Sequence, residues 1–362
     1  MIGIGYTLGR YLSVRFIQSI GAVFLTVFCL IYLIDLVELI RRAGDGVDAS
    51  TLMLARLAFF RAPTIAEQIL PFAVLFGSLA SFLTLSRKLE LVIARASGVS
   101  VWQFGFPPLM VALTIGVVAM TIYNPGAVIL KQRGDALEAR IFAKPNDQNN
   151  RNKFIRQLSI DGSSIIRAAQ GTVDGAFLSN VTVFVFDRAG LLMERVEAET
   201  AQLERGVWRL EKARILSIGL EPQVSEVYLL ATNLTRDEVR QALGSSENVS
   251  FWRLDATIRQ LELAGLDSTR YRLRYQSLLA RPLLLAAMVI VAASVSLRFF
   301  RFGGVAKLVL GGVIAGFVLY VCTQIAEDLG TAGVLSTTVA AWLPAVVGSL
   351  LGTLVLLHQE DG

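Results

Sequence analysis

Six runs of apolar residues limit what this chain can become. They cover roughly 14–40, 63–84, 104–124, 277–297, 305–326 and 334–357. A bilayer core about 30 Å thick is crossed by about 20 helical residues, and each run reaches that length. Three runs precede residue 125 and three follow residue 276, with a polar segment between them. Apolar residues make up 54% of the chain and charged ones only 17%, although the polar middle dilutes the average. The expected class is therefore an α-helical membrane protein of six spans, arranged 3+3, with an inserted domain. The first run follows Arg10 and Arg15 but is too long for a cleavable signal peptide, so it is expected to be a permanent span.

The net charge of +5 would suggest nucleic acid in a soluble domain. Here the bases flank the spans, and no nucleic-acid partner is expected. One prospective face holds Arg10, Arg15, Arg87, Lys88, Arg95, Arg298, Arg301 and Lys307; the other holds Arg41, Arg42, Arg56 and Arg61. The excess of bases marks the first face, with both termini, as cytoplasmic. The middle segment then lies outside. It reads as strands: "KFIRQLS" (153–159), "SSIIRAA" (163–169), "VTVFVFD" (181–187), "LLMERVEAET" (191–200), "VWRLEKARILSIG" (207–219) and "VSEVYLLATNL" (224–234). Asp-Gly and other glycine turns separate them, which predicts an all-β roll or sandwich. A helix over 251–268 follows, with a stripe of Leu254, Ile258, Leu261 and Leu263.

Catalytic patterns are missing. There is no GxxxxGK[ST], HExxH or GxSxG, and the one histidine, His358, lies in the tail. Neither enzyme activity nor a bound cofactor or metal is expected in this chain. Cys29 and Cys322 lie within apolar runs and form no paired framework. GxxxG spacings at Gly312/Gly316 and Gly348/Gly352 permit close helix approach. Pro71 and Pro344 fall inside runs, whereas Pro107, Pro108 and Pro282 fit helix starts.

Two charged stretches stand out. Asp35, Glu38, Arg41 and Arg42 crowd the outer end of the first span, with Glu38 at i,i+3 and i,i+4 from the arginines. They read either as a self-neutralised, snorkelling interfacial cluster or as part of a basic collar for an anionic headgroup. Arg61, Lys131 and Arg133 would complete the ring. The other stretch, "LSRKLELVIARASGVS" (85–100), sits between the second and third spans. Leu85, Leu89, Val92, Ile93 and Ala96 form one helical stripe, leaving Arg87 and Glu90 off it. Gly98 is the expected helix stop, and Ser100 with Gln103 the next capping box.

That stretch, with "LGRYLSVRF", "ELIRRAGDG" and "TRYRLRYQSLLARPL", resembles the LptF/LptG permeases, the transmembrane subunits of the lipopolysaccharide export ABC transporter, and its wording is nearer the LptG side. The resemblance covers the whole chain. It implies spans 1–3 within 1–125 with a coupling helix at about 85–98. It also implies a periplasmic β-jellyroll-like domain with a C-terminal helix over 126–270, and spans 4–6 over 271–362. The implied function is to take lipopolysaccharide from the inner membrane and hand it to a periplasmic bridge. The implied partners are an LptF-type permease, an LptB-type ATPase dimer that uses the ATP, an LptC-type single-span protein and an LptA-type bridge. Arg41, Arg42, Arg61, Lys131 and Arg133 would meet the headgroup, Phe317 and Tyr320 the acyl cavity, and Arg87, Glu90 and Arg95 the ATPase. Asp35 is an acid within the expected basic zone. Two other readings stay open: a permease of another ABC-type lipid or lipoprotein pathway, and a membrane-anchored assembly factor.

Overall fold

A computed structural model describes residues 6–44, 50–142, 153–159, 162–171, 177–187, 191–204, 206–217, 221–235, 239, 246–263, 266–298 and 305–360. Within these, the side chains of Val92, Arg95, Arg298 and Lys307 lie outside the description, as does Arg301 altogether. The chain divides into a bundle unit (residues 1–142, 250–252 and 273–362) and a β unit (143–249 and 253–272).

The bundle begins with α1 (Tyr6–Ala43) and α2 (Thr51–Arg87), then a short α3 (Glu90–Ala96). α4 (Val101–Val118) runs through a π-helical turn (Ala119–Tyr123) into α5 (Asn124–Ile141). The start of α6 (Phe251–Leu263), then α7 (Thr269–Arg298), α8 (Val305–Thr331) and α9 (Thr337–Glu360), complete it. Among the described residues, six helices are long and apolar enough to cross a membrane, as expected from the six runs. Several are longer than their runs. α2 starts at Thr51, where the Ser50 side chain accepts the Met53 N–H at 3.3 Å. α5 continues to Ile141, so the bundle unit reaches Phe142 where the sequence placed the change near 125. Leu39, Ala43, Leu54, Leu57 and Ala58 form a small core with Leu137 and Ile141 where these extensions meet. An apolar run reports only the part of a helix inside the bilayer; here the polar ends are helical too. The same extension puts Pro282, Pro107 and Pro108 inside helices rather than at their starts.

The main core takes Leu12, Phe16 and Ile20 from α1, at i, i+4 and i+8. They meet Leu75, Leu79, Phe82 and Leu85 of α2, Phe104 and Ala112 of α4, and Leu285, Met288 and Ala292 of α7. Phe16 and Phe82 pack edge to face with centroids 4.9 Å apart. Glycines set the closest crossings. A Cβ at Gly77 would lie 2.5 Å from Ile20 Cα, and one at Gly116 2.4 Å from Pro282 Cα. The GxxxG glycines serve the same end within the chain: Gly312 and Gly316 face Leu79 and Leu75, Gly348 faces Leu319, and Gly352 faces Ile290.

Among the described residues, the strands of the β unit form one six-stranded antiparallel sheet, β1 (Lys153–Ser159), β2 (Gly162–Gly171), β3 (Phe177–Phe186), β4 (Leu192–Glu204), β5 (Val207–Ser217) and β6 (Gln223–Ala231). The inserted all-β domain is thus present, with its described strands in up-and-down order. The sheet curls so that a side chain of its first strand reaches the end of its last. Gln157 of β1, fully buried, donates to the Ala231 carbonyl at 3.2 Å and accepts from the Thr232 hydroxyl at 2.6 Å. The curl is visible in the pleat. Inward residues on β4 change from Val196 and Ala198 to Ala201 and Leu203, and on β5 from Trp208 and Leu210 to Ala213. The change falls beside Glu199 and Lys212, which pair at 2.5 Å, with the β4–β5 register unbroken, and Asn180 and Lys212 have positive φ. The register itself shifts at Val185/Phe186 of β3, and such an irregularity bends a strand. In α6, Leu254, Ile258 and Leu261 are buried as expected, but Leu263 is exposed because it falls a fraction of a turn off the stripe. Hydrogen bonds from Arg272 and Ser268 hold the Glu262 carboxyl below its ordinary range.

Candidate functional site

The arginines expected to form a collar do gather, but not alone. Arg41 pairs with Glu38 one turn back on α1 at 2.7 Å. Arg42 turns away, reaches Glu138 of α5 at 3.2 Å and lies over the Phe142 ring at 4.9 Å. Arg61 of α2 sits 3.7 Å from Asp35 and 4.0 Å from Glu138. Three guanidinium groups therefore face three carboxylates. Glu138 is the member that sequence reasoning missed, because it lies 96 residues from Arg42. Arg133, exposed, and Lys131, half-buried, stand five and seven residues before Glu138 on α5. At 1.5 Å per residue that is roughly 7–10 Å away along the axis, so they belong to a separate turn.

Exposure differs across the cluster: Arg41 and Glu38 are exposed, whereas Arg61, Asp35 and Glu138 are half-buried. Surface ion pairs contribute about 0–1 kcal/mol each. A doubly charged phosphate competes well for such guanidinium groups, since it accepts a bidentate pair of short hydrogen bonds. Each of the three arginines has a carboxylate partner within the chain.

Of the two aromatic residues assigned to an acyl cavity, Tyr320 packs on Phe72 of α2 with centroids 4.9 Å apart, and Phe317 is 56% exposed on the outer side of α8.

The stretch between the second and third spans differs from a single helix over 85–98. α2 ends at Arg87, Leu89 takes a left-handed φ of 60°, and α3 starts afresh at Glu90. This kink resets the helical phase. Leu85 stays buried with α2, Leu91 is the buried one among the described side chains of α3, and Leu89 and Ile93 are exposed. Gly98 has a φ of 86°, and Ser100 and Gln103 make both bonds of the capping box, at 3.2 and 3.1 Å. Glu90 accepts from the Tyr11 hydroxyl at 3.0 Å and lies 3.6 Å from Arg15, which itself donates to that hydroxyl. Arg87 is exposed. Among the described side chains, the outer face of this segment therefore combines Arg87 with two bare apolar residues.

A fourth constellation was not foreseen. Glu67 of α2, 2% exposed, accepts from Arg281 and from Arg274 of α7, the latter at 3.3 Å. The Asn124 amide, wholly buried, donates to both carboxylate oxygens at 3.1 Å. Its own oxygen accepts the Phe251 N–H at 3.0 Å. Next to it, Pro125 has no N–H to offer the Thr121 carbonyl, and the Trp252 indole donates there at 3.1 Å. Glu67 thus ties together α2, α5, α7 and the first residues of α6. Acids inside spans are paired or functional by default, and that rule was the available signal.

Comparison with known proteins agrees with this architecture. The family described as "Lipopolysaccharide export system permease LptF/LptG" matches residues 10–358. The chain is 25% identical over 364 residues to the lipopolysaccharide export system permease protein LptG of Haemophilus influenzae, covering 97% of this chain and 96% of that one. It is 24% identical over 369 residues to LptG of Escherichia coli K12, covering 95% and 94%. Six apolar helices, an inserted antiparallel sheet and a match from Arg10 to His358 make this chain a member of the LptF/LptG family of lipopolysaccharide export permeases.

Proposed function

We propose that this chain is the LptG-side permease subunit of a lipopolysaccharide exporter in the bacterial inner membrane. It pairs with an LptF-type permease, is driven by a separate LptB-type ATPase dimer, and works with an LptC-type single-span protein and an LptA-type bridge. Its termini lie in the cytoplasm and its β unit in the periplasm. The observation that carries the reading is the cluster of Arg41, Arg42 and Arg61, whose partners are Glu38 and Asp35 of α1 and Glu138 of α5. A phosphorylated lipid of many chains suits arginines above an apolar surface. α1 supplies that surface: only 6% of its most apolar stretch is buried within the chain. Lys131 and Arg133 extend the anion path along α5, and Phe317 faces the acyl chains in the space shared with the second permease. Arg87, Glu90 and Arg95 belong to the contact with the ATPase.

Two outcomes are expected. A reporter enzyme that is active only outside the cytoplasm, fused near residue 200, gives full activity; cytoplasmic activity there contradicts the orientation. The double variant Arg41→Glu, Arg42→Glu lowers photocrosslinking of lipopolysaccharide at this end by about 5- to 30-fold, on the order of 1 kcal/mol for each reversed charge near an interface. Membrane insertion stays normal, because exposed pairs contribute little to stability. Unchanged crosslinking would mean that the cluster only snorkels.

A further inference from the structure

A cleft of about 680 Å³ opens at the other end of α1, against the C-terminal turn of α2. It is lined by Thr7, Arg10, Tyr11, Val14, Arg15, Gln18, Ser19, Thr84 and Lys88. Three cations thus converge on one hollow with a row of hydroxyl and amide groups. The acid beside it is Glu90, engaged by Tyr11 and Arg15 on one wall, so Arg10 and Lys88 supply the excess positive charge. Lys88 also caps α2, where the helix dipole favours a cation.

The cleft continues into an apolar track. Val14 lines the hollow, and Ile17, Gly21 and Leu25 follow it along α1, all exposed. Their spacing of three and four residues keeps them on one helix face. Lysines and arginines at a membrane surface attract anionic headgroups, and apolar helix surface accommodates the chains. From this juxtaposition we propose that the cleft is a binding site for the phosphate headgroup of an anionic phospholipid, whose acyl chains lie along the Val14–Leu25 face of α1. A soluble partner gives no reason for the apolar track, and a free anion gives no reason for its continuity with the cleft. The inference rests on α1 and α2 being membrane spans and is independent of what the protein exports.

The test uses the full-length chain in nanodiscs of phosphatidylcholine, probed with spin-labelled phosphatidylglycerol and, separately, spin-labelled phosphatidylcholine. Arg10→Ala and Lys88→Ala are the variants; Arg15 is left intact because it also holds Glu90. The expected result is preferential retention of phosphatidylglycerol, lowered about fivefold by each substitution and by raised salt, with no competition from millimolar inorganic phosphate. Retention equal to that of phosphatidylcholine, or unchanged in both variants, overturns the proposal. Displacement by inorganic phosphate also overturns it, making the cleft a free-anion site. Loss of a co-purifying ATPase in the variants with lipid retention intact overturns it too, making the cleft a protein-docking surface. Crosslinking of lipopolysaccharide at Arg41 and Arg42 is read for the same variants in parallel nanodiscs that contain lipopolysaccharide, and stays at the wild-type level, which separates this site from the export reading.

Discussion

Replacing Glu67 with leucine is expected to destabilise the bundle by about 3–5 kcal/mol, the usual cost of removing one partner from a buried ion pair. Leucine leaves Arg281 and Arg274 facing each other around an apolar side chain, and it removes the acceptor of both Asn124 N–H bonds. Nor is the loss local. Asn124 also holds the Phe251 N–H, so the start of α6 loosens with it. Glu67→Gln keeps an acceptor and most of the shape and should lie between the two. The sharper comparison is the double variant Glu67→Leu, Arg281→Leu. Removing both charges abolishes the uncompensated burial, and Arg274 can extend its flexible stem toward water. The double variant is therefore expected to recover much of the single variant's loss. The measurement is the fraction of purified chain that stays folded in a graded denaturing-detergent series, read by protease resistance. Additive losses would show that Glu67 and Arg281 act independently, and the buried network would then not be a unit.

Glu90→Lys is expected to abolish transport while leaving lipid capture near normal. Glu90 holds α3 to α1 through Tyr11 and Arg15, so a lysine there meets Arg15 with like charge and releases α3 from α1. In the proposed complex α3 receives the movement of the ATPase, through the exposed Leu89 and Ile93 and through the Arg87, Glu90 and Arg95 set. The arginine cluster lies at the opposite end of α1, a full membrane thickness away, and is untouched. The result expected in the reconstituted complex is ATP hydrolysis without lipid release. Tyr11→Phe, which removes one donor and no charge, should reduce coupling only in part. Normal release at a normal hydrolysis rate in the Glu90→Lys complex would remove Glu90 from the coupling path.

These two sites differ in how far the sequence announced them. The six spans and six strands were legible because periodicity and run length are local signals. "KFIRQLS" is β1 residue for residue, and the Ser100–Gln103 box formed as its spacing implied. Helix ends were less legible, since a run stops at the bilayer while α2 and α5 continue beyond it. The break at Leu89 was hidden for a different reason. A left-handed leucine runs against local preference, so the Leu85–Ala96 stripe looked continuous when the chain turns in its middle. The pleat change beside Glu199 was concealed in the same way by strands that alternate well on either side. The charged sites were hardest. Arg42 meets Glu138 across 96 residues, and Glu67 meets Arg281 across 214, and no local pattern links partners at such distances. The cluster therefore read either as self-neutralised or as a basic collar, and the partners of Glu67 had no local signal.

In the proposed exporter, ATP hydrolysis on a partner drives lipopolysaccharide out through this permease. The decisive measurement uses proteoliposomes holding this chain, an LptF-type permease and the ATPase, loaded with lipopolysaccharide and offered a soluble acceptor. Release is expected to start with ATP, stop with a non-hydrolysable analogue and fall with Arg41→Glu, Arg42→Glu. Sustained ATP hydrolysis with lipopolysaccharide retained in the vesicles, while phospholipid or a lipoprotein leaves instead, would contradict it.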